Sequence, residues 1–157
     1  NAAPIAAIAL FSGMYLGIRY SLVLPALAML IGDFFIGFYG WPLALAVYGS
    51  DILVGLIGVG LSRSRNFRAI IGGSLAGSTI FFLLTNWAVW QFSSWYVHNW
   101  SGLVQCYIMA LPFFRNTLFG DLFYVALTFG AYEMLGVVQR RFFIWQKIRA
   151  DREEGRM

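Results

Sequence analysis

The sequence predicts an all-α integral membrane protein, a bundle of helices that cross the lipid bilayer. Of its 157 residues, 60% are hydrophobic and only 11% are charged, whereas a soluble domain typically carries about 25% charged residues. The apolar residues form long runs, and most basic residues stand at the ends of those runs. A chain this apolar cannot cover its own surface with polar groups, so we expect the lipid bilayer to surround it.

Five apolar runs approach or reach the roughly 17–25 residues with which a helix crosses a bilayer. In chain order they are Pro4 to Gly17, Leu22 to Phe38, Leu43 to Leu61, Ala69 to Phe92 and Thr117 to Val138. The first run is short. Trp41-Pro42 separates the second run from the third, and the basic loop SRSRNFR separates the third from the fourth. We therefore expect five spans in a transmembrane domain of residues 1–138.

The stretch Leu103 to Phe114 is apolar but only about half a span long. Basic segments favour the cytoplasmic side, and Arg19, SRSRNFR and the basic tail share one side only if residues 69–138 cross twice. We therefore expect this stretch to be a short re-entrant or tilted helix that turns back at Pro112. Such segments are tolerated where protein buries them. A full sixth crossing is the alternative, and it would place the tail outside.

The same charge pattern predicts the orientation of the chain. It places Asn1 outside and the tail, residues 139–157, inside. We expect the tail to be a basic cytoplasmic helix that lies on the membrane surface. The membrane itself we expect to be a bacterial inner membrane. A chain that starts outside favours a further helix upstream, which would bring the number of spans to six.

Motifs of catalysis and cofactor binding do not occur in the sequence. It has no GxSxG, no Walker loop and no HExxH, so we expect no enzyme activity and no cofactor. His98 has no second histidine or nearby cysteine with which to bind a metal, and Cys106 is typical of a small buried hydrophobe. Membrane topology explains the basic clusters, so we expect no nucleic-acid partner.

Polar residues inside the apolar runs are the remaining candidates for function. An ionisable group at the bilayer centre costs about 2.5–3.5 kcal/mol on insertion scales, so it usually faces the bundle interior and is paired. Counting about 1.5 Å per residue along each span places one polar set in the outer third of the bundle. We expect this set to bind a ligand: Asp33, Asn86, Trp87, Trp90, Arg115, Asn116 and Asp121.

Arg115 is the basic residue that topology does not explain, and we expect it to pair with Asp33 or Asp121. One interpretation is a buried ion-pair network that holds the re-entrant helix. The other adds an outward-facing pocket with aromatic walls, and the two are compatible. Asp51 and Glu133 lie deeper, and Asp51 is the one hint of ion or proton coupling.

Small residues four apart predict close helix contacts. Gly73 and Gly77 form GxxxG, and Ala2 with Ala6 and Ala3 with Ala7 form AxxxA pairs. Such faces let helices approach closely in lipid. They indicate either packing within this bundle or docking to a helix of another membrane subunit.

The segments NAAPIAAIALFSGMYLG, FFLLTNWAVW and PFFRNTLFGDLFY resemble those of an uncharacterised bacterial membrane family labelled as transport proteins. That family is similar to the S components, the substrate-binding subunits, of energy-coupling factor (ECF) transporters. The resemblance implies six helices, an outward ligand pocket and docking to a membrane subunit driven by ATPases. We therefore expect a protein that binds a small molecule for uptake. The alternative is a structural accessory subunit of a larger membrane complex, and an enzyme is the third choice.

Overall fold

The computed structural model describes residues 4–38 and 40–154, with side chains described through residue 137 and at Gln139. All regular structure in this part of the chain is helical. The helices are α1 (Ile5–Phe11), which continues as a π-helical turn (Ser12–Leu16), then α2 (Ile18–Ile36), α3 (Trp41–Gly60), α4 (Phe67–Phe92) and α5 (Trp100–Glu154). The predicted all-α class is confirmed.

The first apolar segment is shorter than a span. From Ile5 to Leu16 it is 12 residues long, or about 18 Å of helix. It ends at Gly17, whose φ of 92° lies in the left-handed region that glycine adopts without strain. The chain therefore turns sharply there, and α2 starts one residue later. The prediction of a full first span is not met by the described residues.

Within residues 4–38 and 40–154, four helices are long and apolar enough to cross a membrane, namely α2, α3, α4 and residues Trp100–Val137 of α5. Their outward surfaces carry many exposed large apolar side chains, which water would not tolerate over so wide an area. The chain is therefore an integral membrane protein. The boundaries of α2, α3 and α4 agree with the second, third and fourth predicted runs to within a few residues.

The predicted turn at Pro112 is wrong, because α5 continues through Pro112 as one helix. A proline removes one backbone hydrogen bond, and membrane helices tolerate that loss where neighbouring groups satisfy the freed carbonyl. Leu103–Phe114 is consequently neither a re-entrant helix nor a separate crossing. The apolar part of α5 has 38 residues, about 57 Å of helix, so it exceeds the roughly 30 Å hydrocarbon core.

The basic segments gather at one end of the bundle, which we call the basic end. Arg19 lies in the first turn of α2, and Arg65 lies in the connection between α3 and α4. The Arg65 guanidinium stands 4.7 Å from the centroid of the Tyr15 ring, and the Tyr15 hydroxyl donates to Glu133 of α5 at 3.5 Å. Trp41, Trp95 and Trp100 are exposed at the opposite end. The side chains of residues 140–157, including Trp145, lie outside the described residues.

Helices α1 and α3 pack with backbone against backbone. Gly13 in the π-helical turn faces the Gly55 carbonyl, and Gly58 faces the Leu10 carbonyl. These contacts bring the buried side chains of Leu10, Met14 and Val54 together in the core. We refer to Gly13, Gly55 and Gly58 as the glycine seam.

The GxxxG pair of α4 also packs inside the bundle. A Cβ at Gly73 would meet Leu10 and Leu61, and one at Gly77 would meet Val54. Ala7 is fully buried and Ala6 packs against the same core, whereas Ala2 and Ala3 lie outside the described residues. The small residues that can be placed therefore serve contacts within this chain.

The antiparallel order of α3, α4 and α5 predicts that residues 64 and 153 lie on one side of the membrane. Ser64→Cys and Glu153→Cys, each in a Cys106→Ala background, should react with the same membrane-impermeant thiol reagent from the same side. Asn99→Cys, in the connection between α4 and α5, should react only from the other side. Labelling of positions 64 and 153 from opposite faces would contradict this topology.

Candidate functional site

A cavity of about 280 Å³ lies in the middle of the bundle, at the N-terminal end of α1. All five helices contribute to its wall: Ile5 and Ala6 from α1, Met29 from α2, Val47 and Asp51 from α3, Phe81 from α4, and Thr117 and Asp121 from α5. Its volume is at the lower end of the roughly 300–1,000 Å³ of ligand pockets. We call it the central cavity.

Two carboxylates from different helices face the central cavity. Asp51 lies near the middle of α3 and is only 4% exposed, and Asp121 of α5 is 5% exposed. Asp121 is level with Ser78, which lies near the middle of α4. Both acids are therefore at the depth of the membrane centre, where ionisable groups are costly and usually functional.

Asp121 shares a short contact with Ser78. The Ser78 hydroxyl oxygen is 2.6 Å from Oδ2 of Asp121 and 3.0 Å from the backbone carbonyl of Ser74. A serine hydroxyl has a single hydrogen to donate. Ser78 therefore donates to one of these acceptors at a time, and both contacts are hydrogen bonds together only when Asp121 carries a proton. Asp51 and Asp121 accordingly bring two buried carboxyl groups to the cavity, and Asp121 can hold a proton there.

Of the two acids, Asp51 is the one with an unpaired oxygen atom among the described residues. Its Oδ2 atom is buried and has no hydrogen-bond partner among the described residues. A buried acceptor left without a donor costs about 1–3 kcal/mol, and more when it is charged. A native structure retains such an atom where something outside the chain completes it or where function requires it.

Asp33, a residue of the predicted site, lies apart from the central cavity. It is 7% exposed, and its Oδ2 accepts a 2.7 Å hydrogen bond from the Tyr48 hydroxyl of α3. The carboxylate thus joins α2 to α3 one turn beyond Asp51, on the side away from the basic end. Asp33 thus has its hydrogen-bond partner within the chain.

The predicted pairing of Arg115 with Asp33 or Asp121 is wrong. Arg115 is exposed, and the two carboxylates accept hydrogen bonds from Tyr48 and Ser78 instead. Asn116 is exposed as well. On a continuous α5, Arg115 and Asp121 are six residues apart, so their side chains point about 120° apart around the helix.

The remaining predicted residues line other features of α4. The Asn86 amide donates to the Phe82 carbonyl of its own helix at 2.8 Å and borders a cavity of about 200 Å³ between α4 and α5. Trp87 is part of an apolar groove of about 380 Å³ between α3 and α4. The Trp90 indole donates to the Val97 carbonyl at 3.1 Å and so fixes the loop before α5.

The structure thus brings Asp121 to the central cavity and leaves the other six predicted residues elsewhere. Asp51 and Thr117 take their place in the wall. A signal for Asp51 was present, because an aspartate in the middle of an apolar run is rare. Among the described residues no group of three His, Cys, Asp or Glu side chains could hold a metal ion.

Comparison with known proteins yields one finding. The profile of a family described as "Family of unknown function (DUF6580)" matches residues 1–147. No curated protein and no solved structure matches the chain.

Proposed function

The chain belongs to the DUF6580 family of unknown function, and from its central cavity we propose that it is a membrane-embedded protein that binds a small molecule for uptake. The observation that carries the proposal is the Oδ2 of Asp51, which has no hydrogen-bond partner in the part of the chain that the structure describes and lies in a cavity walled by five helices. Ligand sites are typically such concave, mostly apolar spaces with a few convergent polar groups. The sequence resembles an uncharacterised membrane family that is similar to the S components of ECF transporters, and this resemblance supports the uptake role.

The alternative function is that of a structural subunit in a larger membrane complex. A purely structural chain has no use for a buried acceptor without a donor, and it would be expected to pair its interior polar groups. The small-residue faces that could dock another subunit are instead used inside the bundle, at Gly73, Gly77 and Ala7. Both observations favour the binding role.

Filling the central cavity tests this proposal. Val47 lies one helical turn before Asp51 on α3 and faces the cavity. Val47→Phe adds volume where a ligand would sit, so a small molecule that accompanies the purified wild-type protein should be absent from the variant. Native mass spectrometry from detergent, followed by identification of the released compound, measures this directly.

The matched control is Leu56→Phe, a similar enlargement on the same helix at a side chain that is 39% exposed. This variant should keep the bound compound, because its added ring points to lipid. Wild-type protein that carries no small molecule from any growth medium, with Val47→Phe unchanged in stability, would favour the structural subunit.

A further inference from the structure

We infer that the small molecule of the central cavity is a compact organic cation, whose positive group lies between Asp51 and Asp121. This inference rests on the binding role proposed above and names the chemical class of the ligand. It is carried by three features of the cavity: two buried acids with no basic residue in the described part of the wall, a small number of oxygen ligands, and apolar walls.

The acidic groups of the central cavity have no basic counterpart among the described residues of its wall. This part of the wall contains Asp51 and Asp121 but no lysine, arginine or histidine. Of the arginines whose side chains the structure describes, Arg115 is exposed and the other four lie at the basic end, namely Arg19, Arg63, Arg65 and Arg68. A carboxylate buried in the membrane interior is strongly destabilising without an opposite charge nearby. A ligand that supplies positive charge is therefore the partner that these acids lack when they are ionised.

The described wall of the cavity offers fewer oxygen atoms than calcium takes. Its polar side chains are two carboxyl groups and the Thr117 hydroxyl, which together have five oxygen atoms, whereas Ca²⁺ takes 6–8 oxygen ligands. An ammonium group has three hydrogens to donate, and each of these three side chains can accept one of them.

The remainder of the wall fits the body of an organic molecule. Met29, Val47 and Ile5 present apolar surface, and Phe81 adds an aromatic ring. A ring near a bound cation contributes about 0.5–2 kcal/mol by its quadrupole. A cavity of about 280 Å³ is much larger than a bare ion needs, and its volume suits a molecule of roughly ten heavy atoms.

Three probes that share one molecular skeleton but are positive, neutral or negative test this inference. Phenethylammonium, 2-phenylethanol and phenylacetate share a phenyl ring and differ in charge, and methylammonium and sodium ions test the positive group alone. Each probe is added to the purified wild-type protein, and the shift of its unfolding temperature is measured, since a ligand that binds the folded state raises it. Phenethylammonium should raise it most, and phenylacetate should have no effect.

Asparagine substitutions locate the positive group. Asp51→Asn and Asp121→Asn should each weaken phenethylammonium binding at least about tenfold, because hydrogen bonds to charged groups contribute about 1.5–3 kcal/mol. Asp33→Asn is the matched control, since it changes a buried aspartate outside the cavity wall. That variant should bind phenethylammonium like the wild type.

The outcomes separate this inference from the proposed function. If 2-phenylethanol or phenylacetate binds as well as phenethylammonium, the cavity binds small molecules regardless of their charge, and the cation assignment is overturned. If sodium alone binds, the organic class is overturned. Binding of none of the probes, by a wild-type protein that still releases a compound lost in Val47→Phe, also overturns the cation. The wild-type series gives these answers even if an aspartate variant does not fold.

Discussion

Gly13→Ala should destabilise the protein more than any other methyl addition in the first helical segment. The added methyl group would collide with the Gly55 carbonyl and approach the Val59 backbone nitrogen to 2.9 Å. Both neighbours are backbone atoms of α3, so no side-chain rotation relieves the contact. Overpacking of this kind typically costs 1–3 kcal/mol and occasionally more, and we expect a loss of about 3 kcal/mol.

Thermal unfolding of the purified protein, followed by circular dichroism, measures this loss. A change of 1 kcal/mol shifts the unfolding temperature by about 2–4 °C in a domain of this size, so Gly13→Ala should lower it by about 6–12 °C. Gly58→Ala, which would collide with the Leu10 carbonyl, should behave similarly. The glycine seam also holds α1 in place, so both variants should lose phenethylammonium binding.

Gly49→Ala is the control for the seam. Gly49 lies on α3 like Gly55 and Gly58, but nothing lies within 4 Å of a Cβ built there. Alanine in a helix interior is more favourable than glycine by about 0.5–1 kcal/mol, so this variant should be as stable as the wild type or slightly more stable. A Gly13→Ala protein with wild-type stability would show that α1 and α3 are not packed this closely.

The membrane spans could be predicted from the sequence because the bilayer imposes a simple rule. An apolar run such as Leu43–Leu61 must be helical to satisfy its backbone in lipid, and basic or tryptophan-containing segments mark its ends. The predicted run and helix α3, Trp41–Gly60, consequently agree closely. The break at Pro112 was the error, because a proline shortly before the polar residues Arg115 and Asn116 resembles a loop when neighbouring helices are unknown.

That error also changed the predicted depth of Asp121 in the membrane. With a span starting at Thr117, Asp121 falls in the first turns, near the outer surface. In the structure α5 starts at Trp100, which is 17 residues earlier and adds about 26 Å of helix before Thr117. Asp121 therefore lies at the membrane centre, level with Asp51 rather than with Asp33.

Even with correct helix boundaries, the depth of each residue in the membrane could not have predicted which residues form the site. Residues at one depth can point in any direction around their helices, and apolar runs without a polar face carry little information on direction. Asp33 and Asp51 show this within one bundle. Asp33 faces Tyr48 and has its hydrogen-bond partner within the chain, whereas Asp51 faces the central cavity. Only the packing of helices distinguishes them.

Asp51→Leu should raise the stability of the ligand-free protein. Leucine resembles aspartate in shape, and the change removes a buried Oδ2 that has no partner among the described residues. The cost of such an acceptor is about 1–3 kcal/mol, and we expect a gain of that size, or a rise of about 2–12 °C in the unfolding temperature. Binding sites commonly retain residues that lower stability.

The same substitution at Asp33 should have the opposite effect. Asp33→Leu removes the acceptor of the 2.7 Å hydrogen bond from Tyr48, leaving the hydroxyl without its partner, and we expect a loss of about 1–3 kcal/mol. The two leucine variants, unfolded in the same detergent without added probe, therefore separate an acid retained for binding from an acid retained for structure. A stability loss at Asp51 equal to that at Asp33 would mean that Asp51 is satisfied in the folded protein. The central cavity would then lack the unpaired carboxyl oxygen on which the cation assignment depends.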